Sequence, residues 1–436
     1  MPQHAAPASA NEDANSAVYK RITVRLIPFI FVCYLFNYLD RVNVGFAKLQ
    51  MLDDLHFSEA VYGLGAGIFF IGYVACGVPS NLALTRFGPR RWIALMMIVW
   101  GGLSTCLLFV TTPTHFYALR LLTGAAEAGF FPGVVLYLSQ WFPSFRRGRI
   151  MALFMSAIPV SGLLGSPLSG WILNHFSAGQ GGLAGWQWMF MLQGLPTVVL
   201  GGLAFFLLSD NFASARWLTP QERAVLEADQ AVDAQSKPPT DRSSLQAVFK
   251  NPRVWGFGLV YFCIQSGVYA INFWLPSIIK NLGFGDNLVI GWLSAIPYLL
   301  AAVFMLLVGR SADLRQERRW HLAVPMLMGA VGLLIAVNFT ATPAIAIVGL
   351  TLATMGALTG LPMFWPVPTA MLSASAAAGG LALINSMGQL AGFVSPYWVG
   401  LVKDSTGSTD LALYLLAAVI AAGSVLALRM TRTLRA

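Results

Sequence analysis

Apolar runs of about twenty residues, the length that crosses the hydrocarbon core of a bilayer, recur twelve times along the chain. They fall near 22–47, 60–82, 92–110, 114–138, 147–173, 186–208, 254–280, 288–310, 320–338, 342–366, 378–402 and 410–430. In lipid, a span must satisfy its own backbone hydrogen bonds, which leaves helices and closed barrels, and runs of this length suit helices. Composition agrees: 57% of the 436 residues are hydrophobic and 10% are charged, against about 25% charged in soluble domains. The expected fold class is an all-α membrane protein of twelve transmembrane helices in two six-helix halves.

The basic residues set an expected orientation. With the N-terminus inside, 22 of the 27 lysines and arginines fall on the cytoplasmic side. Only Lys48, Lys280 and Lys403 fall outside, and Arg41 and Arg120 lie within spans. This bias follows the positive-inside rule with both termini cytoplasmic, so the net charge of +9 reflects topology rather than nucleic-acid binding. The expected location is the cell inner (plasma) membrane. Residues 1–19 are polar and lack a signal peptide's order of regions, so they read as a disordered tail, the first span serving as an uncleaved signal anchor. The hydrophilic stretch 209–253, with Lys237-Pro238-Pro239 and a short helical pattern around Pro220–Asp229, reads as a cytoplasmic linker between halves 20–208 and 254–430. Residues 431–436 form a cytoplasmic tail.

The four cysteines sit singly in apolar runs without metal-ligand or C-x-x-C spacing, so neither a disulfide framework nor a metal site is expected. His4, His56, His115, His175 and His321 form no ligand cluster. No nucleophile elbow, zincin, P-loop or dinucleotide fingerprint stands in a fitting context. The expectation is a protein that is not an enzyme and needs no cofactor.

The halves also match each other. Arg90-Arg91-Trp92 recurs as Arg318-Arg319-Trp320, 228 positions later, and Ser166-Pro167 recurs as Ser395-Pro396, 229 positions later. Transporters built from such repeats bind substrate near the midplane, between the halves.

Asn81 to Arg91, with Arg86, Gly88, Arg90 and Arg91, resembles the G-x-x-x-D-R-x-G-R-R loop of the major facilitator superfamily, with Asn81 for the glycine and Thr85 for the acid. Gly309-x-x-x-Asp313 with Arg318-Arg319 resembles its second-half counterpart. The resemblance implies a cytoplasmic gate at these loops. A narrower match covers nearly the whole chain. Asn37-Tyr38-Leu39-Asp40-Arg41-Val42-Asn43-Val44-Gly45-Phe46-Ala47 is similar to the anion:cation symporter family. So are Arg120-x6-Glu127 with Gly129-Phe130-Phe131-Pro132-Gly133, and Asn385-Ser386-x-Gly388-Gln389-x-Ala391-Gly392. That family includes bacterial permeases for tartrate, sugar acids, phthalate, nicotinate and 4-hydroxyphenylacetate.

The residues alone lead to a compatible mechanism. Within the spans the charged residues are Asp40, Arg41, Arg120 and Glu127, which sum to zero. Each costs at least about 2.5–3.5 kcal/mol to insert, so they are expected to face one another across a water-filled cavity. Arg120 and Glu127, two turns apart, share a helix face with about 20° of drift. A guanidinium can grip a carboxylate through two parallel hydrogen bonds. A carboxyl group in a partly dry cavity is neutralised by burial and ionised by a nearby arginine, so small rearrangements change its proton affinity. The expected roles are proton carriage by Asp40 and Glu127 and carboxylate binding by Arg41 and Arg120, and the resemblance implies the same. The alternative is a set of structural ion pairs.

Tyr38 and Tyr73 have hydroxyls within reach of such a cavity, and the resemblance favours Tyr73. In the second half, Gln265 and Asn272 share one face, as do Asn385 and Gln389. Their amides are placed either to bind substrate oxygens or to hydrogen-bond between helices. Trp365, before Pro366, is expected to form an apolar wall; Trp274, Trp292 and Tyr298 either join it or anchor the interface. The expected function is import of a small organic mono- or dicarboxylate with protons by alternating access, through a chain that works as a monomer. An anion exchanger or facilitator without proton coupling is the alternative. The amides suit a hydroxy acid such as tartrate, the aromatics an aromatic acid.

Overall fold

The computed structural model describes residues 8–177, 179–236, 249–371 and 374–433. Eleven helical runs among them are long and apolar enough to cross a membrane: Ser16–Leu55, Glu59–Phe87, Pro89–Phe109, Pro113–Trp141, Arg146–His175, Gly185–Leu207, Pro252–Asn281, Asn287–Arg315, Arg319–Asn338, Pro343–Thr369 and Asp410–Met430. The remaining span, expected near 378–402, is the 33-residue helix Ala374–Thr406, packed on the second and seventh spans. Twelve spans therefore stand where the apolar runs place them. Large apolar side chains such as Val199, Phe206, Leu306 and Val348 remain exposed around the bundle, as expected where lipid is the solvent.

Two boundaries differ from expectation. The first helix starts at Ala8, inside the segment expected to be a disordered tail. Alanines at 8, 10, 14 and 17, with no glycine or proline among them, give that stretch helix propensity; residues 1–7 lie outside the described residues, as does His4. The linker holds a helix, Pro220–Ser236, longer than the expected pattern to Asp229. It opens with a capping box: Glu222 N–H donates to Thr219 Oγ1 at 3.2 Å and Thr219 N–H to Glu222 Oε2 at 2.8 Å, two orphan donors satisfied reciprocally. The Thr219 N–H holds the Glu222 carboxyl below its ordinary range. This helix is clasped to the first half: Arg21 Nη1 lies 2.7 Å from Glu222, Tyr19 donates to Asp229 at 2.9 Å, and Ser144 N–H donates to Asp233 at 3.0 Å. Lys237-Pro238-Pro239, Arg242 and Arg435 lie outside the described residues.

Several spans are interrupted at depth. The first breaks between Val42 and Val44, the fourth at Ala128–Gly129 and the tenth at Trp365. Pro132 and Pro366 account for two of these, since proline lacks an N–H and its ring crowds the carbonyl four residues back. Irregular backbone at this depth is tolerated where protein buries it or a cavity meets it.

The two ends of the bundle differ. One, the linker end, carries the linker helix, the start of the first helix and the end of the last; the other, the far end, carries the turns after the first, seventh and eleventh spans. Between halves, the first span packs on the seventh, the second on the eleventh and the fifth on the eighth. A Cβ on Gly63 would lie 2.6 Å from the Pro396 carbonyl oxygen, and one on Gly291 2.6 Å from that of Ser166, beside Pro167. Gly63 and Gly291 are 228 positions apart, the offset of the internal repeat, so the repeated Ser-Pro pairs receive reciprocal glycine contacts across a pseudo-twofold. Among the described residues, every hydrogen bond and ion pair joining the halves lies at mid-depth or toward the far end.

Candidate functional site

Arg41 and Asp40 are neighbours on the first span, but adjacent helical residues point about 100° apart, and the structure sends them to different partners on different sides of the span. Arg41 crosses to the fourth span and pairs with Glu127: its Nε donates to Glu127 Oε1 at 2.8 Å and its Nη2 contacts the same oxygen. Both groups are buried. The rings of Tyr38, Phe69 and Tyr73 lie 5.8, 5.5 and 5.3 Å from the guanidinium carbon, an aromatic surround that favours a cation. Tyr38 and Arg41, three residues apart, share that face.

Asp40 is fully buried on the opposite side, within the first half alone. Trp100 Nε1 and Thr197 Oγ1 donate to its Oδ2 at 3.2 and 2.7 Å, and Ser104 Oγ donates to Oδ1 at 3.3 Å. The expectation that all four charged groups line one cavity is thus corrected at Asp40: its rotation on the helix turns it toward the third and sixth spans. Arg120 occupies a third setting. Its Nε and Nη2 reach the Gly65 and Ala66 carbonyls at 3.3 and 3.5 Å, its guanidinium lies 4.7 Å from the Phe69 ring centre, and Nη1 has no hydrogen-bond partner among the described residues. Arg120 and Glu127 share a helix, Pro113–Glu127, yet Glu127 pairs with Arg41.

The second half supplies a wall of linked polar groups. Asn272 donates to the Tyr38 hydroxyl at 2.6 Å and accepts from the Tyr298 hydroxyl at 2.8 Å, so it bridges the halves beside the ring that flanks Arg41. Gln265 Nε2 lies 3.4 Å from the Tyr269 hydroxyl, which donates to Gln389 at 2.7 Å. The Tyr269 ring packs 4.3 Å from Phe70 of the first half. Asn385 is half-buried one turn from Gln389. Trp365 stands edge-on to Tyr261, with ring centres 4.9 Å apart, and 5.4 Å from Phe364, an aromatic wall on the linker side. Sequence reasoning missed Tyr269, although its position four residues after Gln265 places it on the same helix face, and missed Trp100, Ser104 and Thr197, which carry no signal linking them to Asp40.

The gate loops lie at the linker end. Gly88 has φ +84°, a left-handed region that favours glycine. Arg90 Nε lies 3.5 Å from Asp210, at the end of the sixth span. Thr85, where the resembled motif has an acid, donates to the Leu82 carbonyl of its own helix at 2.8 Å; Asp210 is the acid that meets this loop. Arg86 and Arg91 are exposed. In the second half Asp313 pairs with Arg318. Nearby, burial works against the Glu317 carboxylate, but the Trp320 and His321 N–H groups and the His321 ring hold its carboxyl below the ordinary range.

Residues 30–396 match the profile of the Major Facilitator Superfamily. The chain is 47% identical over 407 residues to a Pseudomonas putida protein named as a metabolite transport protein, NicT, covering 93% of this chain and 92% of that one. It is 44% identical over 427 residues to an Agrobacterium vitis protein named for tartrate transport, covering 97% and 96%. A partially occluded, inward-open structure of the Escherichia coli xylose transporter XylE superposes with a TM-score of 0.73 at 14% identity, covering 94% and 98%; at that identity the likeness is one of fold.

Proposed function

The chain belongs to the major facilitator superfamily and is a multi-pass membrane transporter, and on that premise we propose that it imports a small organic anion together with protons by alternating access. The observation that carries this reading is the buried Arg41–Glu127 pair. While Glu127 is ionised it occupies the guanidinium. A proton on Glu127 removes the partner's charge and frees the Arg41 fork for a substrate carboxylate, which fits the same two-bond geometry. Proton and anion then load together, and release of both lets the pair re-form. The proton on Glu127 offsets one unit of the anion's charge as it enters, which limits the cost of moving it through a low-dielectric core.

The neighbouring groups complete the site. Tyr38 and Tyr73 flank the guanidinium, Arg120 with its unpartnered Nη1 offers a second cation, and Gln265, Asn272, Asn385 and Gln389 present amides across the interface. Trp365 closes the linker side. Asp40 carries a second proton on its own side of the span, where Trp100, Ser104 and Thr197 couple its state to the third and sixth spans. The relative named for tartrate transport supports a carboxylate as substrate, and the amides suit hydroxyl-bearing acids. The clustering of arginines at the linker end supports an inner-membrane protein with both termini cytoplasmic, so that the state sealed at the far end is sealed toward the outside. The chain works as a monomer, since one pair of halves forms the whole pathway.

The test uses Glu127→Gln protein in proteoliposomes. Uptake of labelled tartrate driven by an imposed pH gradient is expected to vanish, while exchange of internal for external substrate persists. Undiminished gradient-driven uptake would remove Glu127 from the proton path, and wild-type transport indifferent to the gradient would favour an anion exchanger or facilitator.

A further inference from the structure

The three basic residues that break the positive-inside pattern, Lys48, Lys280 and Lys403, come from the first, seventh and eleventh spans, yet the structure gathers them at one place on the far end. Lys48 Nζ lies 2.6 Å from Glu59 Oε2, and Lys403 Nζ lies 2.5 Å from Oε1 of the same carboxylate. Lys48 is almost wholly buried, 3.5 Å from the Trp274 ring centre. Lys280 donates to the Leu49 carbonyl at 3.1 Å, and Lys280 and Lys403 both lie close enough to repel the Lys48 ammonium. Asp404 accepts the Glu59 and Ala60 N–H groups at 3.0 and 2.8 Å, capping the second span across the interface.

Closing the far end does not by itself require these charges. A Cβ on Gly400 would lie 2.4 Å from the Glu59 carbonyl oxygen, and one on Gly170 would lie 2.3 Å from that of Asn287. Asn287 is 228 positions from Glu59, so the two contacts are pseudo-twofold equivalents. One is made beside a carboxylate flanked by lysines, the other beside an asparagine. The charged cluster is therefore an addition to the packing that seals this end.

Alternating access parts the halves here. Lys48 and Glu59 belong to the first half and stay together, whereas Lys403 loses Glu59 and Lys280 loses the Leu49 carbonyl. The second-half end then presents two freed ammonium groups, with Asp404 next to Lys403 and with Asp286 and Asp410 on the same end, Asp286 occupied in capping the eighth span. We infer that Lys403 and Lys280 form an outer capture site for the substrate's carboxylate, and that the Glu59 carboxylate stands in for the substrate on Lys403 while the far end is closed. This rests on the reading of the chain as an anion importer whose far end faces outside. An incoming anion attracted by the pair arrives at higher local concentration, an effect that salt weakens. When the anion moves inward to Arg41, Glu59 returns to Lys403 and the mouth closes behind it.

The experiment compares Lys403→Gln with Glu59→Gln in oriented proteoliposomes, measuring initial uptake of labelled tartrate against external concentration at low and high ionic strength. Lys403→Gln is expected to raise the external KM about five- to tenfold and to flatten its salt dependence, with kcat little changed. Lys403→Arg is expected to retain the wild-type KM. Glu59→Gln breaks the same ion pair but leaves both lysines free, so its KM should be unchanged or lower and its salt dependence intact. Should Lys403→Gln fail to fold, Lys280→Gln is read in its place with the same expectation. Equal shifts of one sign in the lysine and Glu59→Gln variants would reduce the cluster to a latch and overturn the capture site alone. Wild-type protein that moves no organic anion would overturn the importer reading and this one with it.

Discussion

A guanidinium buried at mid-membrane needs both compensation for its charge and partners for its donors, and Arg41 obtains both from one carboxylate on another span. That concentration makes the pair a switch: whatever neutralises Glu127 strands the guanidinium until another anion arrives. Arg41→Lys keeps the charge but loses the planar fork. It is expected to lower uptake at subsaturating substrate roughly tenfold or more, seen as a raised KM rather than a lost protein, and a lysine variant with wild-type kinetics would take carboxylate binding away from this position. The four charged positions were legible in the sequence because charges inside apolar runs stand out. Their partners were not. The seven-residue spacing put Arg120 and Glu127 on one helix face, but which group meets which depends on how neighbouring helices are rotated, and a turn of about 100° between adjacent residues sends Asp40 to Thr197 and Trp100 while Arg41 goes to Glu127.

At the scale of helices, the cross-half contacts rest on backbone meeting backbone at glycine. Gly291 admits the Ser166 carbonyl where any Cβ would intrude to 2.6 Å, well inside contact distance for carbon and oxygen. Gly291→Ala is therefore expected to hold the fifth and eighth spans apart and hinder closure of the far end. The reporter is Ser294→Cys in a background without the native cysteines. Ser294 is fully buried on the same helix and makes no hydrogen bond among the described residues, so the change is mild. Maleimide labelling should quicken with Gly291→Ala and stay slow with Gly102→Ala, whose Cβ would meet open space. Equal labelling in both would show that the glycine contact does not govern closure. A glycine in a helix does not reveal in the sequence which surface it faces, so the repeat offset that pairs Gly63 with Gly291 becomes meaningful only once their partners are seen.

For the whole molecule, the fold follows from apolar run lengths and the repeat, and these survive without any knowledge of contacts. Run length answers to bilayer thickness, which is the same for every span. The first helix boundary and the linker helix were less legible, since alanine-rich and amphipathic stretches at a surface helix form or fray according to what they dock on; Tyr19 on Asp229 and Arg21 on Glu222 are such docking contacts. The gathering of Lys48, Lys280 and Lys403 was invisible for the same reason: the sequence shows three exceptions to a charge rule, and only the packing of the spans brings Lys48 and Lys403 to the Glu59 carboxylate and Lys280 to the Leu49 carbonyl beside them.

The central claim is that an organic anion and protons cross in the same cycle. Purified protein is reconstituted in liposomes loaded with a pH-sensitive dye, and tartrate, sugar acids, nicotinate, phthalate and 4-hydroxyphenylacetate are added outside in turn. The account predicts that at least one anion acidifies the lumen, at a rate that scales with its uptake, and that Glu127→Gln liposomes stay unresponsive. Uptake or exchange of a labelled anion with no accompanying acidification would contradict it.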